Sequence, residues 1–217
     1  MLSDQPAHDM TGYSRAADLA STDRVPYITQ WSGEQARPAR VVQKVGGIGY
    51  ADELPMDRDE RGVLWTRTPW RQGRGRPEFG RVHPARQRQA VTRLLCQVCG
   101  GAADRTAGGV LWLLGEDPAD PGSWPDPLLT LHPPVCASCA VRAVRACPHL
   151  RGQDKHAVLR VSAFELAGVR GALYLPSLPG PVVAGVGFDD PRIAWVKAGQ
   201  LIVRLREFTV TRLETAG

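Results

Sequence analysis

The chain has 217 residues, of which 43% are hydrophobic and 23% charged, and its formal net charge is +5. That length allows one large domain or two small ones with a real core. No run of about 18 apolar residues occurs, which excludes a transmembrane helix, and the amino-terminal MLSDQPAHDMTGYSRAADLASTD has neither the basic n-region nor the apolar h-region of a secretory signal.

A cytoplasmic, reducing location is therefore expected, where paired cysteines are more often metal ligands than disulfides. The odd count of five cysteines also argues against a complete disulfide framework. The charge is unevenly spread. Residues 1–60 are net −4, residues 61–95 net +8, residues 96–150 net −2 and residues 151–217 net +3. A GC-rich genome, as in many bacteria, would account for 24 arginines against three lysines. It does not account for nine of those arginines falling in one segment with a single acid, Glu78.

In chain order, residues 1–23 are polar and unpatterned and read as a disordered tail. Residues 24–66 read as a β-rich segment. VPYIT and ARVVQKVGGIGY are two strands with a glycine turn, ADELPMDRDER is an acidic loop, and Gly62 to Thr66 is a further short strand. Gly47-Ile48-Gly49 lacks the third glycine of a dinucleotide fingerprint. Residues 67–93 form an Arg-rich arm and helix. RTPWRQGRGRPEFGRV suits an extended linker, and Pro84 opens a helix that runs to Leu95 with Ala90, Val91, Leu94 and Leu95 on one face. ASCAVRAVRAC is a second helix, ended by Pro148.

Residues 151–217 are β-like, with strands at VLRVSAF, GALYLP, PVVAGVGF, RIAWVK and QLIVRLREFTVTRL. In the last of these the apolar alternation changes phase between Leu205 and Phe208, so a bulge or turn is expected near Arg206-Glu207. A helix through Leu201, Leu205 and Phe208 is the competing reading. Segments 24–66 and 151–217 are each too small to stand alone and are expected to pack together. The fold class is α+β: a β-rich protein with two short helices and a central zinc module.

Four of the five cysteines form two Cys-x-x-Cys pairs, Cys96/Cys99 and Cys136/Cys139. Each pair can grip a metal from a tight turn, and Gly100 tolerates the left-handed backbone that such a turn needs. Cys136 and Cys139 open a helix, where the amino terminus favours thiolate. Four thiolates suit one structural Zn²⁺. A redox pair would need only one Cys-x-x-Cys in a thioredoxin-like βαβ context, which the pattern lacks. Cys147 lies eight residues past Cys139 on the same helix, ~12 Å along its axis, too far to share the ion. It reads as core, and His149 as a polar cap at the helix end.

Between the pairs, Gly109 to Leu114 and Leu128 to His132 read as the two strands of a hairpin around the turn-rich loop GEDPADPGSWPDP. Knuckle, hairpin, then a helix beginning at the second pair: over residues 94–150 this order resembles the treble-clef zinc-finger group. It is also similar to HNH endonucleases in the order of its cysteines. That resemblance implies a histidine base at the end of the first hairpin strand and further metal-binding histidines. Here the strand ends Leu113-Leu114-Gly115-Glu116, Ala140 follows Cys139, and His132 stands alone.

Arg74-Gly75-Arg76-Pro77 is similar to the core of the AT-hook, an extended arm laid in the minor groove of A/T-rich DNA, although Glu78 departs from the expected basic flank. The wider set Arg67, Arg71, Arg74, Arg76, Arg81, Arg86, Arg88 and Arg93, interleaved with Trp70 and Phe79, could neutralise phosphates and stack on bases. The sequence thus points first to a zinc-stabilised, non-enzymatic nucleic-acid-binding protein, with DNA the expected partner. The alternatives are a zinc-braced scaffold for another protein and a diverged HNH-type nuclease. No catalytic residue, small-molecule substrate or membrane partner is indicated.

Overall fold

Two long strands organise the molecule, described here from a computed structural model that covers residues 25–35, 39–115, 128–151 and 155–213. The tail expected at 1–23, and the loop expected at 115–127 apart from Gly115 itself, lie outside the described residues. In chain order the elements are β1 (Thr29–Trp31), β2 (Val41–Lys44), β3 (Gly47–Tyr50), β4 (Leu64–Trp65), β5 (Pro77–Val82), α1 (Pro84–Thr92), β6 (Arg105–Thr106), β7 (Gly109–Gly115), β8 (Leu129–Thr130), α2 (Ala137–Ala146), β9 (His156–Leu173), β10 (Val182–Gly187) and β11 (Val196–Thr211).

β9 and β11 pair antiparallel along almost their whole length, from Leu173 opposite Val196 to Val158 opposite Thr211. The register shifts between Ala198 and Gln200, Ile202 and Val203, Leu205 and Glu207, and Glu207 and Phe208. Each irregularity bends the strand and adds twist, so the pair curls. The shift at Leu205/Glu207 falls where the apolar alternation changes phase. The chain stays extended through it, so the competing helix through Leu201 and Phe208 does not form. The strands expected at VLRVSAF and GALYLP are one continuous strand, β9.

The other edge of β9 is divided between β7, which pairs with His156–Val161, and β10, which pairs with Gly168–Leu173. The other edge of β11 is likewise divided. β4 pairs parallel with Lys197 and Ala198, and β8 antiparallel with Val203 and Arg204. Between them Gln87, buried on α1, completes the ladder with its side chain. Its Nε2 donates to the carbonyls of Leu201 (3.0 Å) and Leu131 (2.8 Å), and its Oε1 accepts from the Leu201 N–H at 2.9 Å.

The hairpin expected between residues 109–114 and 128–132 does not form. β7 turns back on β6 and lies against β9, while β8 goes to β11. The reason is that β7 is apolar on both faces and takes a position buried on both. Val110, Trp112 and Leu114 enter the main core with Leu159, Val169, Val196 and Leu205. Leu111 and Leu113 enter a second core with Cys96, Val135, Cys139, Ala140 and Val158. The segment after β8 still passes beside β7, where Val135 N donates to Leu111 O at 2.9 Å and Trp112 Nε1 to His132 O at 3.0 Å.

The amino-terminal part adds two small sheets, β1 with β5 and β2 with β3. The acidic loop at 51–61 spends much of its charge internally. Arg67 pairs with Asp52 and Asp57, and Glu53 is shared by Arg58 and Lys44. Segment 67–82 is not a free linker. Its second half is β5, and the turn before β5 is tied to β1 and the 3-10 turn at Ser32–Glu34 by Gly33 N to Arg74 O (3.0 Å) and Ser32 N to Arg76 O (2.9 Å).

α1 ends at Thr92 rather than Leu95 because Leu94 adopts a left-handed conformation, φ 51°. Leu95 N then bonds Ala90 O at 2.9 Å and Leu94 N faces Val91 O, the paired bonds of a Schellman motif. That reversal turns the chain out of the helix and into the first cysteine pair.

Candidate metal centre and basic surface

The first cysteine pair sits on a tight knuckle. Gly100 N bonds Cys96 O at 2.8 Å and Cys96 N bonds Gly101 O at 2.7 Å, which folds residues 96–101 back on themselves. Gly100 is at φ 73°, and a Cβ there would come within 2.9 Å of the Tyr27 ring, so the position takes no side chain. The stretch before β1 clamps this knuckle. Tyr27 N donates to Val98 O (2.9 Å), Ile28 N to Gln97 O (3.3 Å), and Tyr27 Oη to Gln89 Oε1 on α1 (2.7 Å). Cys136 is the residue that starts α2, and Cys139 lies one turn on, buried against Leu111 and Leu113.

All four Sγ atoms lie within 4.8 Å of one another, and Cys99 and Cys136 are 3.8 Å apart. Sulfurs held at ~2.3 Å from a tetrahedral zinc sit ~3.8 Å from each other, whereas a disulfide needs ~2.05 Å. All five cysteines are free thiols. The four can therefore hold a metal ion, and their chemistry suits zinc. Cys147 stays out of the group. It is half-buried at the end of α2 rather than core, and His149 is exposed, with the helix end capped instead by Arg151 Nε on Arg145 O at 3.1 Å.

The thiols are unequal. Burial pushes Cys96 and Cys139 above the ordinary thiol value. Burial also acts to raise Cys136, but hydrogen bonds from the Ser138 hydroxyl and the Cys139 backbone outweigh it and bring the group down to about 7. Arg142, one turn beyond Cys139, places Nη2 2.9 Å from the Cys139 sulfur. Four thiolates around a divalent ion carry two negative charges, and Arg142 offsets part of them. Sequence reasoning missed this residue. Its signal was the i, i+3 spacing from Cys139 on one helix face.

The eight arginines singled out from the sequence do not form one surface. Arg86 is fully buried and bidentate with Glu34 (2.6 and 2.7 Å), also donating to Thr29 O at 2.7 Å, so it cannot meet a phosphate. Arg67 lies over the Tyr50 ring (4.3 Å) and is held by Asp52 and Asp57. Arg88 lies over the Trp65 ring at 4.5 Å. These three have structural roles. Arg71, Arg74, Arg76, Arg81 and Arg93 are exposed. Among the described residues, no carboxylate pairs with Arg71, Arg74, Arg76 or Arg93, and Arg81 faces Glu78 at 3.7 Å.

Two hollows are lined by these arginines. One is open and lined by Gly33, Trp70, Arg71, Gln72 and Arg74. The other, about 410 Å³, brings together Gln30, Gln35, Thr68, Arg67, Arg81 and Lys197. Lys197 was not foreseen: it belongs to β11, more than a hundred positions from the arginine cluster. Trp70 and Phe79 are exposed beside these arginines. No described helix is long and apolar enough to cross a membrane. The chain matches no family model, no curated protein and no solved structure.

Proposed function

We propose that this is a zinc-braced, non-catalytic nucleic-acid-binding protein. Cys96, Cys99, Cys136 and Cys139 hold one structural zinc ion, in an arrangement like that of treble-clef fingers: knuckle, β6–β7 hairpin, then a helix beginning at the second pair. An ion with four sulfur ligands has no open position for water or substrate, so its role is to fix the fold. The observation that carries the binding half is the exposed set Arg71, Arg74, Arg76 and Arg81 beside the exposed rings of Trp70 and Phe79. Arginine with accessible aromatics serves both phosphate neutralisation and base contact.

Two measurements test it. Native mass spectrometry of protein expressed without added zinc should show one zinc per chain, lost on Cys136→Ser. A salt titration of oligonucleotide binding should give a logarithmic slope of about −3 if four phosphates are neutralised, and the double change Arg71→Ala, Arg74→Ala should flatten it by about 1.5. Metal-free protein with five titratable thiols overturns the first half, and no oligonucleotide binding at low salt overturns the second.

A further inference from the structure

Resting on the nucleic-acid reading, we infer that the ligand is a single strand, with a base stacked on Trp70 and its phosphates on Arg71, Arg74, Arg81 and Lys197. The backbone of the Arg-Gly-Arg turn argues against a duplex groove. An AT-hook-like arm needs an extended chain whose glycine rests on the groove floor. Here Arg74 N bonds Arg71 O at 3.0 Å, Arg76 N bonds Ser32 Oγ at 3.1 Å, and Gly75 turns back at φ 82°. A Cβ on Gly75 would fall 2.2 Å from Ser32 Oγ. The bare face of the glycine is pressed on the protein, so it cannot face DNA.

What the turn presents instead is an aromatic shelf beside cations. Trp70 is 53% exposed. Its ring is braced edge-on by His83 (centroids 5.4 Å, 68° between planes), and the Arg86 guanidinium lies 5.7 Å from its centroid. The half-exposed ring lines the same hollow as Arg71 and Arg74. The frame is rigid: the buried Glu34 carboxylate accepts from Arg71 N (3.0 Å) and Trp31 N (2.9 Å), and Arg86 neutralises it, so it does not repel a phosphate.

From Trp70 the chain runs back two residues to Thr68, in the second hollow, a reach of at most ~7 Å. That spacing suits consecutive nucleotides of an unstacked strand. The second hollow offers Arg81 and Lys197 for the next phosphate, with Gln30, Gln35 and Thr68 as neutral hydrogen-bonding groups. Arg67 lines it too, already paired with Asp52 and Asp57. The acid beside the hollow, Glu78, is held by Gln35 Nε2 at 2.6 Å and faces Arg81. Base stacking is tolerant of sequence, so binding with little base preference follows.

The test uses the full zinc-loaded chain and fluorescein-labelled oligonucleotides of about 15 nucleotides, offered as single-stranded DNA, single-stranded RNA and DNA duplex of one sequence. We expect a single strand to bind at least about tenfold more tightly than the duplex, with the two single-strand arms telling DNA from RNA. Trp70→Ala lowers single-strand affinity about tenfold, and Trp70→Phe restores most of it. Lys197→Ala reduces the salt slope by about 0.7. Duplex binding equal to or tighter than single-strand binding overturns this inference and leaves the nucleic-acid reading standing. Equal losses for the Ala and Phe variants at Trp70 overturn the stacking role. Failure of all three ligands at low salt overturns both readings.

Discussion

At the residue scale, Arg86 and its partner Glu34, 52 residues away, are both fully buried and form a charged hub between α1 and the 3-10 turn at Ser32–Glu34. The same hub contains His83, also fully buried. Its Nδ1 accepts from Arg86 N and its Nε2 lies 3.3 Å from Pro69 O. Burial chiefly, and the Arg86 charge secondarily, hold His83 below its ordinary 6.5, against the opposing pull of Glu34. The unfolded chain therefore binds more protons below pH 6.5 than the fold does, so this contribution is complete above that pH and is lost as the pH falls towards the folded value. Glu34 acts with the same sign lower down. Burial would raise it, but Arg86 and the Trp31 and Arg71 N–H groups keep it below 4.5, so its contribution is lost as the pH drops below that value. We expect His83 to add a first fall in melting temperature as the pH drops below 6.5. His83→Asn keeps an acceptor at the start of α1 and should remove much of that first fall. An unchanged pH profile in the variant would place the titration elsewhere. None of this hub was legible in the sequence: nothing local distinguishes a solvated guanidinium from a fully buried one, and Glu34 is 52 residues from Arg86. Cys96, Cys99, Cys136 and Cys139 could be grouped because a metal imposes a spacing that sequence records directly.

At the element scale, short apolar runs between turn signals marked β4, β10 and the segment that holds β2 and β3, and a phase change in the alternation marked the kink in β11, because these are local properties. Pairing is not local. The expected 109–114/128–132 hairpin failed because both segments had stronger partners far along the chain, β9 for one and β11 for the other. The end of α1 was missed because Leu94 takes a left-handed conformation that its side chain does not advertise. Gln87 was missed for a related reason: a polar residue on a helix reads as surface, yet it serves as a substitute for strand between β4 and β8. That role makes it testable. Gln87→Leu removes the side chain that pairs with the Leu201 N–H and carbonyl in the buried ladder. Stranded groups of this kind cost ~1–3 kcal/mol each, so a loss of about 2 kcal/mol or more is expected in chemical denaturation. A loss under about 1 kcal/mol would mean that water or a shifted α1 satisfies them.

At the scale of the whole molecule, the question is whether the cysteine cluster is an appendage or part of the fold. The second core, which contains Cys96 and Cys139, shares β7 with the main core: Leu111 and Leu113 point into one, Val110, Trp112 and Leu114 into the other. β7 in turn pairs with the first half of β9, the strand on which β10 and β11 also depend. The knuckle is also tied through Tyr27 to α1 and through Ile28 to the start of β1. A metal that orders Cys96–Cys139 thus stabilises one face of the central sheet. Binding free energy for a structural zinc adds to folding free energy wherever the site is absent from the unfolded chain. Chelation should therefore lower the melting temperature of the entire protein, in one calorimetric transition. If the metal contributes about 5 kcal/mol, the shift at this chain length is about 10–20 °C. Two separate transitions after chelation, with the upper one unmoved, would show instead that β9, β10 and β11 hold together without the second core, and that β7 transmits nothing from one core to the other.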